Sequence, residues 1–327
     1  MKKNIALVAG GYTKEDVISI NSAKVVEKHI DATKYKVFKI IITRQEWYYE
    51  EGPNTKITVD KNDFSIILNN EKICFDLAFI IVHGVPGENG MMQAYFDMIN
   101  IPYTTCDATV SALTMNKAFC NAILSQYNVR VAKSIHLIKN QTFSIDTIAT
   151  ELGFPCFVKP NGGGSSIGMT KVKAKEDLPL AIATAFSEDT QVLIEQFVKG
   201  RELSCGLMQV KGKIIAFPIT EIISKTDFFD YEAKYKGLSD EITPAQISPE
   251  IQAQVQQISS YIYEKLNCFG IVRCDFILEE KTGNLYFLEV NTVPGQSEQS
   301  IVPQQVRCMG WTIDTLYSYL IEESFNK

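Results

Sequence analysis

The sequence predicts an α/β fold (α+β in its later parts) that is divided into two or three domains. Apolar strand-like runs alternate with amphipathic helix patterns along the 327 residues, and this length suits more than one domain. The chain opens with an apolar strand at residues 3–9, then Gly10-Gly11, then a helix pattern from about Glu15 to Ile30. Strand, glycine turn and helix in this order are a common opening of an α/β domain.

The composition excludes several classes of function. Hydrophobic residues make up 46% of the chain and charged residues 21%, which is ordinary for a globular protein with a large core. The formal net charge is −6 with both signs interspersed, and no basic stripe indicates nucleic acid. No apolar run approaches membrane-spanning length, and the first apolar stretch is too short for a signal peptide. We therefore expect neither a nucleic-acid partner nor a membrane partner.

The cysteines and histidines predict a cytoplasmic protein without a zinc site. The eight cysteines are scattered without a CxxC pair, and the three histidines lie far apart in sequence. Several cysteines fall in apolar runs, and no secretory signal precedes them. Both observations favour reduced thiols.

The first predicted domain spans residues 1–103. A second buried strand is expected at 75–84, FDLAFIIVHG, followed by the loop VPGENG and the helix MMQAYFDMIN. The stretch 42–73 between the two strands is predicted to be irregular, with a polar and aromatic patch. These elements together indicate one α/β domain.

Two further domains follow, at residues 104–198 and 199–327. The first begins with a single amphipathic helix pattern at 107–127 and continues as a small α+β domain. The second contains apolar strands, a helix near 249–266 and a β-hairpin.

Two acidic residues are predicted to face each other on this hairpin. The strand-like runs IVRCDFIL and NLYFLEVN flank the linker EEKTGN, whose glycine suits a short hairpin loop. If Lys281-Thr282-Gly283 form the loop, Asp275 lies opposite Glu289 and Arg273 lies opposite Asn291. Facing carboxylates repel, and Mg²⁺ between them would cancel the repulsion. The alternative is an exposed hairpin with a solvated acidic edge, which the apolar flanks disfavour.

The glycine-rich segment Asn161–Met169 predicts a phosphate site. Glycine lets backbone N–H groups approach phosphate oxygens, and Lys159 ends the preceding strand as a candidate cation. The segment matches neither the Walker A nor the GxGxxG pattern, so a flexible hairpin is the alternative. Lys117, in the helix pattern before it, is either a second phosphate-binding cation or a surface lysine.

The run VLIEQFVKGRE is a candidate site for an adenine ring. An apolar strand that breaks at Gly200 can offer backbone donors and acceptors, with Glu195 and Glu202 near the amino group and the ribose. A plain strand with flanking charges is the alternative. The run FFDYEAKY, at 228–235, is typical of an ordered functional loop, although solvated tyrosines would give the same composition.

Six segments in order resemble the motifs of the ATP-grasp superfamily, and within it the D-alanine–D-alanine ligase family. They are HGVPGENG, KPNGGGSSIGMTKV, VLIEQF, FFDYEAKY, VRCDFIL and LEVNTVPG, and the resemblance covers nearly the whole chain. The resemblance implies a three-domain ATP-grasp ligase. Its N-terminal domain would hold a parallel sheet, and ATP would bind between the central and C-terminal domains.

The resemblance also implies roles for individual residues. The residues that would bind ATP are Lys117, Lys159, Glu195, Gln196, Phe197, Val198 and Glu202. The ligands of two Mg²⁺ (or Mn²⁺) ions would be Asp275, Glu289 and Asn291. The catalytic group would comprise Glu15, which holds the ammonium of the first D-alanine, the loop-linking Ser165 and Tyr235, and the oxyanion donors Arg273 and Gly295. The remaining substrate contacts would be His83, Lys234, Ser300 and Ile301.

The implied reaction joins two D-alanines into D-alanyl-D-alanine for peptidoglycan biosynthesis, with ATP as co-substrate, in a homodimer formed through the N-terminal domain. Tyr235 within EAKY favours an amine as the second nucleophile, although a ligase for D-serine or D-lactate is an alternative. A non-catalytic nucleotide-binding regulator is another. Asn89, Gly163, Val293 and Gln296 depart from the commonest family residues, so we expect changes in fine specificity rather than in chemistry.

Overall fold

A computed structural model of the protein describes residues 2–52, 55–164, 167–224 and 239–327. Within these ranges, each helix falls short of the length and apolar character that crossing a bilayer requires. Three main sheets succeed one another along the chain and surround one cleft.

The N-terminal sheet is built around its first strand. The elements are β1 (Lys3–Gly10), α1 (Asp16–His29), β2 (Tyr35–Ile42), β3 (Trp47–Gly52), β4 (Thr55–Thr58), β5 (Ile66–Leu68), β6 (Glu71–Ile73), β7 (Leu77–Ile80) and α2 (Met91–Met98). The strand order is β4-β3-β2-β1-β7, and β1 runs parallel to both β2 and β7. The predicted parallel arrangement is therefore confirmed for β2-β1-β7, whereas β3 and β4 extend the same sheet in antiparallel pairing. The apolar β1 is buried along most of its length, as is typical of a central strand between parallel neighbours.

The prediction that residues 42–73 are irregular is wrong. Strands β3 and β4 continue the sheet, and β5 and β6 form a hairpin. These strands are short and half-exposed, so their apolar signal is weak. A better signal was the pair Asn69-Asn70, both with positive φ, because asparagine favours the left-handed positions of a two-residue hairpin turn.

The central part of the chain contains a second sheet. Its elements are α3 (Ala108–Met115), α4 (Lys117–Gln126), β8 (Ser134–Ile138), α5 (Ile145–Leu152), β9 (Cys156–Pro160), β10 (Thr170–Val172), a 3₁₀ turn (Lys175–Asp177), α6 (Leu178–Glu188) and β11 (Gln191–Gln196). The strand order is β10-β9-β11-β8, and neighbouring strands are antiparallel.

The single helix predicted at 107–127 is also wrong, because the chain breaks at Asn116. The backbone of Asn116 is extended, and its Oδ1 accepts a hydrogen bond of 3.0 Å from the N–H of Phe119. Asparagine competes with the helix in this way and starts a new one. The break makes Lys117 the first residue of α4 and directs it toward the cleft.

The C-terminal sheet forms the other wall of the cleft. The elements are β12 (Gly200–Val210), β13 (Lys213–Ala216), β14 (Thr220–Ser224), β15 (Ser239–Ile242), α7 (Pro249–Lys265), β16 (Val272–Glu279), β17 (Leu285–Asn291), α8 (Ile301–Cys308) and α9 (Ile313–Phe325). The strand order is β15-β14-β12-β16-β17, with β13 also paired to β12.

Buried clusters join the parts of the chain. Tyr317 of α9 packs edge-on against Phe79 in the N-terminal sheet, with ring centroids 5.5 Å apart. Cys120 and Leu124 of α4 share a buried cluster with Val290 of β17. The proposed domain boundaries at residues 103 and 198 remain predictions, since apolar clusters cross both of them.

Gly200→Ala is expected to destabilise the protein. A Cβ at this position would lie 2.1 Å from the carbonyl oxygen of Leu278 in the paired strand, and this backbone cannot retreat without breaking the ladder. We expect a loss of about 1–3 kcal/mol in the free energy of unfolding, measured by urea titration. The control is Gly52→Ala, where an added Cβ meets nothing within 4 Å. Equal stability of the two variants would contradict the expectation.

Candidate active site

All the predicted site residues that the structure describes line one cleft of about 1060 Å³ between the sheets. They are Glu15, His83, Lys117, Lys159, Glu195, Gln196, Phe197, Val198, Glu202, Arg273, Asp275, Glu289, Asn291, Gly295, Ser300 and Ile301. Ser165, Lys234 and Tyr235 lie outside the described residues. Residues that are far apart in sequence therefore share one space large enough for a nucleotide and small substrates.

The hairpin of β16 and β17 has the predicted register at its inner end. Asp275 lies opposite Glu289, and Arg273 lies opposite Asn291. The predicted three-residue loop is wrong. The backbone N–H of Glu279 donates to the carbonyl of Asn284 at 2.9 Å, so the loop contains one residue more than predicted.

A β-bulge reconciles the longer loop with the register. The pairing shifts by one residue between Asp275 and Phe276, and Leu288 is the extra residue of the bulge. A bulge re-aims the side chains beyond it. Here the extra residue places Asp275 and Glu289 opposite each other, on one face of the sheet.

Arg273 and Asp275 form a buried bidentate pair. The Nη2 of Arg273 lies 2.7 Å from Oδ2 of Asp275, and Nε lies 3.0 Å from Oδ1. Ser204 donates to Oδ1 at 2.6 Å, and Asn291 donates to Oδ2 at 3.0 Å. Burial alone would lower the pKa of Arg273, but the charge and hydrogen bonds of Asp275 outweigh it and raise this pKa above its usual value. The guanidinium therefore stays charged in the cleft.

The facing carboxylates already have protein cations beside them. Arg273 pairs with Asp275, and the Nζ of Lys117 lies 3.5 Å from Oε2 of Glu289. Repulsion between the two carboxylates therefore does not by itself require a metal ion. The donor set still fits a hard cation, because two carboxylates and the amide of Asn291 converge on one face of the hairpin.

Within the described ranges, no three His, Cys, Asp or Glu side chains form a metal cluster. The proposed ligand set, with two carboxylates and one amide, is of a different kind. A magnesium ion held in this way commonly completes its shell with water and phosphate oxygens.

Both predicted phosphate-binding lysines enter the cleft and have partners there. Lys117 donates to the carbonyl of Gly163 at 2.6 Å, which connects α4 to the glycine-rich segment. Lys159 forms an ion pair with Glu195, whose other oxygen accepts from Nδ2 of Asn121 at 3.1 Å. The carboxylate of Glu195 is thus held in place beside the backbone that we assign to adenine. Asn121 was missed in the sequence, although a polar residue on the apolar face of a helix pattern was a usable signal.

Glu15 lies where two glycine turns meet. A Cβ on Gly84 would lie 2.7 Å from one oxygen of Glu15, and a Cβ on Gly164 would lie 3.1 Å from the other. Gly84 also has a φ of +64°, which favours glycine. The start of the glycine-rich segment therefore reaches Glu15, the acid to which the resemblance assigns the first D-alanine.

Ser300 lies beside Gly295 in the lining of the same cleft. Its Oγ accepts from the N–H of Ser297 at 3.1 Å, and a Cβ on Gly295 would lie 2.9 Å from that oxygen. Ile301 begins α8, and both Ser300 and Ile301 line the cleft, so the N-terminus of that helix borders this region. A helix N-terminus next to a serine hydroxyl suits a carboxylate.

Glu88 was not singled out from the sequence, yet it lines the cleft and the pKa of its carboxyl is raised. It accepts hydrogen bonds from the N–H groups of Gly84 at 2.7 Å and Val293 at 3.3 Å. Burial, followed by the charge of Glu15, raises the pKa of Glu88 to about 7, although the two N–H groups oppose this shift. Its position between Gly87 and Gly90, in the loop that follows a buried strand, was the available signal.

This pKa predicts a pH-dependent contribution to stability. An acid whose pKa is raised on folding stabilises the folded state below its unfolded value of 4.5, and this contribution is lost as the pH rises through 7. Relative to Glu88→Gln, the free energy of unfolding of the unmodified protein should fall by about 2–3 kcal/mol between these pH values. Chemical denaturation at several pH values measures the difference. If the free energies of unfolding of the two proteins changed with pH in parallel, folding would not raise the pKa of Glu88.

The comparisons with known proteins agree with this geometry. Two family models match the chain, the D-ala D-ala ligase N-terminus over residues 4–106 and the D-ala D-ala ligase C-terminus over residues 123–322. A D-alanine--D-alanine ligase of Bacteroides fragilis is 46% identical over 325 residues, with 99% of this chain and 100% of the relative covered. One of Flavobacterium johnsoniae is 44% identical, with 98% and 99% covered.

Solved structures give the same result. The VanG D-Ala:D-Ser ligase of Enterococcus faecalis superposes with a TM-score of 0.89 at 31% identity, covering 99% of this chain and 100% of that one. D-alanyl-alanine synthetase A of Vibrio cholerae superposes with a TM-score of 0.90 at 26% identity, covering 100% and 99%. The sheets and the cleft between them thus have the ATP-grasp architecture, and the predicted fold class is confirmed. The chain belongs to the D-alanine–D-alanine ligase family.

Proposed function

We propose that this protein is an ATP-dependent ligase that joins two D-alanines into D-alanyl-D-alanine for peptidoglycan synthesis. The observation that carries this proposal is the single cleft, in which the described residues assigned to ATP, metal and both substrates come together. The names of the relatives and the two family models point to the same reaction.

The first step activates the carboxylate of one D-alanine. This group is a poor electrophile, so one of its oxygens attacks the γ-phosphorus of ATP, ADP leaves, and an acyl phosphate forms. Lys117 and Lys159 place positive charge beside the phosphates, and Glu15 holds the ammonium of this D-alanine. Mg²⁺ at Asp275, Glu289 and Asn291 would offset the repulsion between the phosphates and the incoming carboxylate.

The second step forms the peptide bond. The deprotonated amine of the second D-alanine attacks the acyl carbonyl, and phosphate leaves as the tetrahedral intermediate collapses. The oxyanion of that intermediate needs fixed donors. We assign them to Arg273, which is held in place by Asp275, and to the N–H of Gly295. The end of α8, with Ser300 and Ile301, would bind the carboxylate of the second D-alanine.

The proposal extends to metal count, assembly and location. We assign two Mg²⁺ or Mn²⁺ ions to the hairpin, a homodimer formed through the N-terminal domain, and a cytoplasmic location. All eight cysteines are free thiols, which supports a reducing compartment. Metal titration monitored by enzyme turnover and light scattering of the purified protein test the first two assignments.

The reaction is tested by phosphate release from ATP. D-Alanine should stimulate release with one dipeptide formed per phosphate, whereas L-alanine should not. Adding D-serine or D-lactate in competition, with products identified by mass, tests the second substrate. A predominant mixed product in the competition would favour the alternative ligases. ATP binding without release in the presence of any of these acids would favour a nucleotide-binding regulator.

A further inference from the structure

The loop at residues 292–297, here named the oxyanion loop, is held by side chains from the N-terminal domain. Val293 donates its N–H to Glu88 at 3.3 Å, and its carbonyl lies 2.8 Å from Nδ1 of His83. The N–H of Gln296 donates to Oγ of Ser22 at 3.2 Å. These contacts involve residues on both sides of Gly295 in the sequence.

We propose that Ser22, His83 and Glu88 are positioning residues that fix the Gly295 N–H at the site of the developing oxyanion. This inference rests on the proposed ligase function. It assigns to the N-terminal domain a part in the second chemical step, beyond holding the first substrate. The oxyanion loop is complete only while that domain is docked.

For a neutral His83 ring, the hydrogen bonds define one consistent arrangement of protons. The carbonyl of Val293 can only accept, so Nδ1 of His83 carries a hydrogen and donates to it. In the neutral ring, Nε2 then accepts, and Oγ of Ser22 at 3.3 Å is its donor. The same oxygen accepts from Gln296, so Ser22 relays one chain of bonds from α1 to both ends of the loop.

The side chain of Gln296 holds the loop through further contacts. The side chain of Gln296 is buried, its Oε1 accepts from the hydroxyl of Tyr317 at 3.2 Å, and its Nε2 donates to the carbonyl of Pro294 at 3.2 Å. The backbone of Gly295 is thus fixed by neighbours on each side. A fixed donor is what a transition-state charge requires, since a displaced one must reorganise during the reaction.

Glu88 connects this loop to the first substrate. The same carboxylate that binds Val293 also accepts from the N–H of Gly84, and Gly84 lies against Glu15. The carboxylate of Glu88 therefore links the turn that packs against Glu15 to the loop that carries the oxyanion donor.

The test compares two buried serines on α1. Ser22→Ala removes the acceptor for Gln296, whereas Ser19→Ala removes a hydroxyl that bonds only within the N-terminal domain, to Gly10 and Ile81. Assayed at about pH 8, Ser22→Ala should lower kcat for dipeptide formation by about tenfold to a hundredfold, with KM for ATP within twofold. Ser19→Ala should retain kcat within about threefold, whatever it does to the melting temperature.

Glu88→Gln provides an independent variant should Ser22→Ala not fold. The amide keeps the shape of the side chain but has one acceptor oxygen, so either Gly84 or Val293 loses its partner. It should show the same fall in kcat at constant KM for ATP. Unchanged kcat in Glu88→Gln, or equal losses in the two serine variants, would overturn the inference. Failure of the proposed function is distinct, because the unmodified protein itself would then show no D-alanine-dependent phosphate release.

Discussion

Arg273→Lys is expected to lower kcat for dipeptide formation by about 10²–10³-fold, the usual effect of losing one oxyanion donor. Lysine keeps the charge but cannot reproduce the two parallel bonds by which Arg273 holds Asp275. The lysine ammonium would bind only one oxygen of Asp275. The planar set of N–H donors that the guanidinium provides would be lost. Steady-state turnover at saturating ATP and D-alanine measures the effect.

The same variant separates catalysis from stability. The bidentate pair is buried, so its partial loss should also lower the melting temperature by a few degrees. KM for ATP should change little, because Arg273 is not assigned to nucleotide binding. Full turnover in a folded Arg273→Lys protein would remove Arg273 from the oxyanion site. A rise in KM for ATP with constant kcat would assign it to the nucleotide instead.

Asp275→Asn is expected to have the second large effect, on the requirement for Mg²⁺. Loss of one carboxylate ligand should raise the Mg²⁺ concentration for half-maximal ADP release by at least about 100-fold. Even the loss of a residue that only hydrogen-bonds a metal ligand typically lowers metal affinity by about 10–100-fold. The variant also leaves Arg273 buried beside an uncharged amide, which should destabilise the fold by about 3–5 kcal/mol. ADP release across a Mg²⁺ titration, at a temperature where the variant is folded, measures the first effect.

A matched control lies on the same strand. Glu279 is an acid near the outer end of β16, and its carboxylate bonds to Thr282 in the hairpin loop. Glu279→Gln should leave the Mg²⁺ requirement within about twofold of that of the unmodified protein. Undiminished ADP release by Asp275→Asn at limiting Mg²⁺ would refute the metal assignment.

The hairpin shows how far sequence reasoning reaches and where it ends. The alternation of side chains on two apolar strands was enough to place Asp275 opposite Glu289, and the structure confirms this pairing. The predicted hairpin loop was one residue shorter than the loop in the structure. The extra residue of the bulge, Leu288, brings Asp275 and Glu289 back into the predicted pairing. A bulge is set by packing against neighbouring strands and leaves no clear pattern in one sequence. The correct register thus came from two errors that cancel.

Other parts of the site depend on contacts between distant segments. Glu88 and Ser22 lie in the N-terminal domain, yet their partners are Val293 and Gln296. Nothing in either stretch indicates the other, because the contacts arise only when three sheets close around one cleft. The break at Asn116 differs from these contacts, because its signal lies within one short stretch of sequence. Asparagine is a common helix N-cap, but the apolar periodicity continues on both sides of Asn116 and indicated one uninterrupted helix.

The central claim, activation of D-alanine as an acyl phosphate in this cleft, is tested most directly by isotope transfer. D-Alanine labelled with ¹⁸O in its carboxylate is incubated with the protein, Mg²⁺ and ATP, and the released phosphate is analysed by mass spectrometry. The account predicts that one ¹⁸O moves to phosphate for each dipeptide formed, because the attacking carboxylate oxygen leaves with the phosphoryl group. Dipeptide formation with unlabelled phosphate would contradict it.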